Sequence, residues 1–322
     1  MVASFIAAAL AMVTPGQRAQ TPDCRDDRGQ DRCESAEQAK QRARYGVEPA
    51  EKMAERRTPM MRAFFVDGYG GDAGLVTFLR PPAEEPRVEW RGTTASGAPA
   101  TTQLSAIVPV TTWDAQEEEG RLFDRPLVPV KTVGVCLHAW VVTVEAVDGR
   151  GAVRRRTEGA CGDGPVVRYG FRLAAAAAAS IPACAVLDPD RTRNDLTRLA
   201  DCGKLAGDRA AAAQALNTLR SPWVLNPRGA DFARPLAHLF FDFAEIAWPG
   251  EAPVTGMMPA AEFWATRMAQ GGLFIRRVTG ETADRVRVDA VFSGRGGSSV
   301  PLSMIWTRES GFGFRLRRLG PA

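Results

Sequence analysis

The chain is poor in the residue types that carry most readable chemistry. Its 322 residues include only two histidines, His138 and His238. No cysteine pair has the C-x-x-C spacing of a zinc site, so no metal centre is expected. The signatures G-x-S-x-G, S-x-x-K and H-E-x-x-H are absent, which removes the hydrolase classes that use them. Cys202-Gly203-Lys204-Leu205 lacks the upstream glycine and the following Ser or Thr of a phosphate-binding loop. No cofactor is expected. Lysine occurs only at positions 40, 52, 131 and 204. The positive charge is therefore almost all arginine, and the net charge of +4 is slight. We read that as codon bias of a GC-rich bacterial genome, and no nucleic-acid partner is expected. The clusters Arg154-Arg155-Arg156 and Arg315, Arg317, Arg318 remain as candidate contacts for anionic surfaces. No apolar run reaches the roughly 20 residues that span a bilayer, so an integral membrane protein is not expected.

What is present begins at the amino terminus. Phe5 to Val13 is an unbroken apolar run, followed by Thr14-Pro15-Gly16 and then by polar residues. A short hydrophobic core, a breaker and a small residue, Ala19, form the pattern of a secretory signal over 1–20, although the positive start is missing. This places the mature chain in the periplasm or outside the cell. Six cysteines lie beyond that point: Cys24, Cys33, Cys136, Cys161, Cys184 and Cys202. In an oxidising compartment they predict up to three disulfides. Fifteen pairings are possible. Proximity favours Cys24–Cys33, Cys136–Cys161 and Cys184–Cys202.

The apolar content of 45% supports a core, and the pattern predicts an α+β chain. Residues 21–60 read as a polar helical arm or linker, with helices over Glu34–Tyr45 and Pro49–Arg57. Residues 61–225 read as a β-rich body with helices at its end. Strands are expected at Arg62–Asp67, Leu75–Arg80, Arg87–Arg91, Gln103–Trp113 and Val133–Val147, with Glu117 to Glu119 in a loop. Gly68 to Ala73 fits G-x-G-x-x-A, but a strand and Pro81-Pro82 follow it instead of a helix, so a hairpin loop is expected. Helices are expected at Phe171–Ser180, Asp188–Cys202 and Leu205–Leu219, with Asp190 or Asn194 as a cap. A boundary is placed at Ser221–Gly229.

Residues 229–322 show a long helix over Asp231–Trp248, a second over Pro259–Gln270, and then strands Leu273–Thr279, Arg285–Ser293, Pro301–Arg308 and Phe312–Leu319. The last three alternate apolar and polar residues and are joined by short loops, which predicts an antiparallel meander. On a helix, Arg234, His238, Asp242 and Glu245 would share one polar stripe beside Phe241 and Trp248, opposite a core stripe of Leu236, Leu239, Phe240, Phe243 and Ala247. A carboxylate orients an imidazole, so His238 and Asp242 are the candidate acid–base pair. Glu245, Phe241 and Trp248 are candidate ligand contacts. A solvated helix face is the plainer reading of the same stripe, and His138 reads as a packed histidine.

This order of helices and strands resembles the NTF2-like, or SnoaL-like, fold, with at least one helix missing at this length. The resemblance implies a bent sheet wrapped around a helix, and a family that holds isomerases, dehydratases and non-catalytic binding modules. The whole chain also resembles uncharacterised exported bacterial proteins. Three readings follow. The first is a non-enzymatic envelope protein that binds a small molecule or an envelope component. The second is an isomerase or dehydratase using His238 and Asp242. The third is an interaction protein that uses the arginine-rich strand Phe312–Leu319.

Overall fold

The computed structural model describes residues 33–66, 72–92, 102–124, 140–160, 164–191, 194–220 and 233–322. The signal segment, Cys24, Cys136, His138, Cys161 and the boundary at 221–229 lie outside them.

Six strands form an antiparallel sheet in the order β4-β3-β2-β1-β5-β6. They are β1 Met60–Val66, β2 Asp72–Leu79, β3 Arg87–Gly92, β4 Thr102–Ile107, β5 Trp140–Val147 and β6 Val153–Ala160. The antiparallel pairing of β1 with β2 is that of the expected hairpin. One face of the sheet carries Met61, Ala63, Phe65, Val142 and Val144 into the main core. Over that face lies α4, Pro165–Ser180, whose Tyr169, Leu173, Ala174 and Ala177 are buried. Its first turn has no side-chain cap of its own. Glu158 on β6 supplies one, accepting from the backbone N–H of Val166 at 2.9 Å and of Val167 at 3.3 Å.

The expected arm is not free. Helices α1, Ala36–Arg44, and α2, Ala50–Glu55, lie against the other face of this sheet. Ser35 and Gln38 form a reciprocal capping box at the start of α1. Tyr45 is buried against Phe64 and Leu75, and Ala50 against Met60 and Val147. The covered face is itself polar, with Arg62, Thr143, Glu145 and Arg155 among its buried residues. Helices with few apolar positions therefore suit it, and they form a strap rather than a linker.

Two strand and loop expectations need correction. The strand expected over Gln103–Trp113 ends at Ile107, because Pro109 has no N–H to give a ladder. Helix α3, Val110–Gly120, starts there and carries Glu117 to Glu119 on a helix instead of in a loop. Among the described residues of the expected helix Asp188–Cys202, only a 3-10 turn, Pro189–Arg191, and α5, Asp195–Cys202, are helical. Asn194 caps α5, as expected, by accepting from Thr197 N–H at 2.8 Å. Cys184 and Cys202 are joined by a disulfide, as proximity favoured, and Cys33 is also disulfide-bonded.

The second sheet has the order β7-β10-β11-β12-β13-β8-β9. Its strands are β7 Leu205–Gly207, β8 Phe240–Ile246, β9 Val254–Thr255, β10 Gly271–Thr282, β11 Arg285–Gly294, β12 Ser299–Glu309 and β13 Gly313–Pro321. β10 to β13 are the expected antiparallel meander. Helix α6, Arg209–Leu219, and helix α8, Met257–Gln270, pack against it. The expected helix Leu205–Leu219 divides, because Leu205–Gly207 pairs in parallel with Val278–Gly280 and Asp208 caps α6. The contact is close: a Cβ on Gly280 would lie 2.1 Å from the carbonyl oxygen of Asp208. β7 and α6, which precede residue 221, thus pack with the second sheet.

The largest correction concerns Asp231–Trp248. Among the described residues of that span, only α7, Ala233–Leu236, and a 3-10 turn, Ala237–Leu239, are helical. The aromatic run that follows is strand β8, parallel to β13 and antiparallel to β9. Phenylalanines suit a pleated surface as well as a helix face, and the partner strand decides between them. One buried cluster then runs from Phe65 and Trp90 through Leu173 and Leu199 to Leu216, Met304 and Trp306.

Candidate functional site

The space between the second sheet and its helices would be the natural place for a pocket. Side chains bordering an empty, water-sized cavity keep accessible surface. Val286, Val288, Leu302 and Met304, on the inner face, keep none. Trp264, Ala261 and Leu216, on the helices packed against this sheet, are also buried in the same cluster. A cleft beside α3, between Trp113 and Glu117 on one side and Met60 and Val147 on the other, holds about 100 Å³. That is below the roughly 300 Å³ at which small-molecule sites begin. No group of three or more metal-ligating side chains occurs among the described residues.

The five expected site residues do not share a helical stripe. His238 is exposed on the 3-10 turn. Asp242 is on β8, with its side chain 83% exposed. Glu245 is half-buried and faces Arg318 at 3.9 Å. Trp248 is buried against Phe292, with ring centroids 5.3 Å apart, and against Phe263 at 5.7 Å. Phe241 is half-buried. Of the five, only Phe241 and Asp242 come together, and they do so at a residue outside that set, Arg315.

Arg315 reaches this place because β8 bulges. Phe240 pairs with Leu316 and Glu245 with Arg318, so five steps along β8 answer two along β13. The backbone between them leaves the ladder. The guanidinium of Arg315 fills the space. It donates to the carbonyl oxygen of Phe240 and to the carboxylate of Glu309. Asp242 is 3.8 Å away and the sulfur of Met257 3.6 Å. A buried cation needs this many partners. The ring of Phe241 lies 5.3 Å from the guanidinium carbon and that of Phe312 5.2 Å.

The stack continues outward. Phe241 and Phe243 are 5.7 Å apart, and Arg317 stands over Phe243 at 5.7 Å. The resulting ladder runs Phe312, Arg315, Phe241, Phe243, Arg317. Phe312 is 65% exposed and Phe243 60%. Arg317 is exposed and has no carboxylate partner among the described residues. The sequence pattern placed Phe243 on a core stripe and so missed it. The arginine-rich strand Phe312–Leu319 was the available signal. By contrast, Arg155 and Arg156 are buried, so Arg154-Arg155-Arg156 is not a surface cluster.

No family model matches the chain, and no curated protein matches it. Among solved structures, Rd1NTF2_05 with long sheet is similar to 35% of this chain over 96% of its own, at 14% identity and a TM-score of 0.27. A conserved protein from Planctomyces limnophilus is similar over 33% of this chain and 91% of its own, at 15% identity and a TM-score of 0.24. A ketosteroid isomerase-like protein from Erwinia carotovora atroseptica is similar over 34% and 88%, at 16% identity and a TM-score of 0.23. No helix among the described residues is long and apolar enough to cross a membrane.

Proposed function

We propose that this chain is an exported, non-enzymatic binding protein of the cell envelope, and that its contact surface is the phenylalanine–arginine ladder of β8 and β13. The observation that carries this reading is the exposure of Phe243, beside Arg317, and of Phe312, beside Arg315. The two exposed rings belong to one stacked row through Arg315 and Phe241 and are not scattered singly. Aromatic residues and arginine are also the types enriched at protein interfaces. The apolar run Phe5–Val13 and the Cys184–Cys202 disulfide support export.

The isomerase or dehydratase alternative has less support. It needs a pocket and a paired imidazole and carboxylate. The inner-face side chains Val286, Val288, Leu302 and Met304 are fully buried, and His238 and Asp242 are both exposed, on different elements. A photoreactive amino acid placed at position 243 in the native host tests the contact reading. A discrete cross-linked product from 243, and none from the exposed position 287 on β11, is the expected result. No product from 243 would overturn it.

A further inference from the structure

The chemistry of the ladder points to a particular occupant. Its two ends differ in charge. At one end Arg317 is a cation without a carboxylate partner among the described residues. At the other, beside Arg315, stand Glu309 and the exposed carboxylate of Asp242. Between the ends lie the rings of Phe241 and Phe243, and that of Phe312 lies on the far side of Arg315. A strongly anionic partner would meet Asp242 and Glu309 unfavourably, and a cationic one would meet Arg317. What fits is a surface with an apolar centre, an acid at one end and a base at the other, running in the opposite direction. The ladder itself is such a surface. A two-fold axis through its middle sets Arg317 of each copy on Asp242 of its partner and closes the phenyls between them, as an isologous contact requires.

We infer that the ladder joins two copies of this chain in a two-fold dimer, with Phe241 and Phe243 at the centre and Arg317 paired with Asp242 across the axis. The inference rests on the reading of the ladder as a contact surface, and names its partner. The ladder's few residues are far short of the roughly 20 to 30 per side of a standard interface. The dimer is therefore weak, and its population changes with concentration between about micromolar and millimolar.

Sedimentation velocity of the full mature chain across that concentration range is the test. The natural chain should shift from monomer to dimer. Arg317→Asp alone and Asp242→Arg alone should each weaken association by at least about tenfold, since each places like charges across the axis. An equimolar mixture of the two variants should associate again, because both of its cross-axis pairs are attractive. Arg317 is exposed, so Arg317→Asp should leave the melting temperature unchanged; Asp242 neighbours the buried Arg315, so Asp242→Arg is compared well below its own melting transition, and Phe243→Ser gives a second way to weaken the dimer. A natural chain that stays monomeric throughout would overturn the inference, as would a dimer indifferent to all three substitutions or a mixture that fails to re-associate. A monomer that still cross-links from position 243 to a different protein overturns the dimer and leaves the contact surface standing. A monomer without any such product overturns both.

Discussion

Glu145 on β5 and Arg155 on β6 sit directly opposite each other, with Nε of Arg155 2.5 Å from Oε1 of Glu145. On the other side of Glu145, in register on β1, Arg62 donates from Nε to Oε2, also at 2.5 Å. Three neighbouring strands thus carry a buried row of cation, anion and cation. The strap covers it and joins it. Arg62 donates to the carbonyl oxygen of Glu48 at 2.7 Å, and Arg155 to the carboxylate of Glu51 at 2.9 Å. The row explains how helices with few apolar residues stay against the sheet.

Removing the shared anion should therefore be severe. Glu145→Gln leaves two buried guanidinium groups without their counter-charge, and loss of one partner from a buried pair costs about 3–5 kcal/mol. Urea unfolding should show a loss of that order. Replacing Arg62, Glu145 and Arg155 together by apolar residues of similar volume should cost far less, since the desolvation of all three ions disappears with them. Equal losses for the single and triple variants would refute this account of the row.

The strap should loosen in acid. Burial pulls the Glu51 carboxyl upward, but its own backbone N–H and the Arg155 guanidinium outweigh that, and its pKa lies below the usual glutamate value. A lowered folded pKa adds stability that is present above the unfolded pKa, about 4.3, and lost as pH falls through the folded one. Glu51 is half-exposed, so the effect is below about 1 kcal/mol. Amide exchange in α2, corrected for intrinsic rate, should quicken between about pH 5 and 3. Glu51→Gln should abolish that change and show the looser strap at neutral pH.

Gly280→Ala tests whether β7 belongs to the second sheet. The added Cβ would meet the carbonyl oxygen of Asp208 at 2.1 Å. Asp208 N–H also donates to the Gly280 carbonyl at 2.9 Å. Both contacts are backbone, so no side chain can move aside. The expected loss is about 1–3 kcal/mol, with increased amide exchange in β7 and the start of α6. A silent substitution would mean that β7 does not approach β10 this closely in solution.

The sequence revealed those parts of the fold that local periodicity determines. The meander was legible because Val286, Val288, Ala290 and Phe292 alternate with polar residues along one strand. The Asn194 cap was legible because a cap acts within four residues. Residues 231–248 were not. Leu236, Leu239, Phe240 and Phe243 satisfy a helical period, and only β13, some seventy positions later in the chain, makes Phe240–Ile246 a strand. The strap was missed for a related reason. Its few apolar residues suggested no core, whereas the face it covers is charged and needs few. At the ladder, the arginines of Phe312–Leu319 were visible, but their rings were not, because Phe241 and Phe243 had been assigned to a helix.

His238 offers the sharpest test between binding and catalysis. It is exposed on a 3-10 turn, and the two neighbours that would orient it on a helix, Asp242 and Glu245, are on β8 instead. Exposed side chains outside caps and ion pairs usually change stability by less than about 0.5 kcal/mol when truncated. His238→Ala should therefore leave the melting temperature, the cross-linking from position 243 and the sedimentation profile unchanged. A large loss of stability would mean that His238 holds a buried partner, at a cost of about 1–3 kcal/mol. Loss of a bound small molecule, seen by mass spectrometry of the purified protein with no change in melting temperature, would restore the catalytic reading and count against a purely non-enzymatic role.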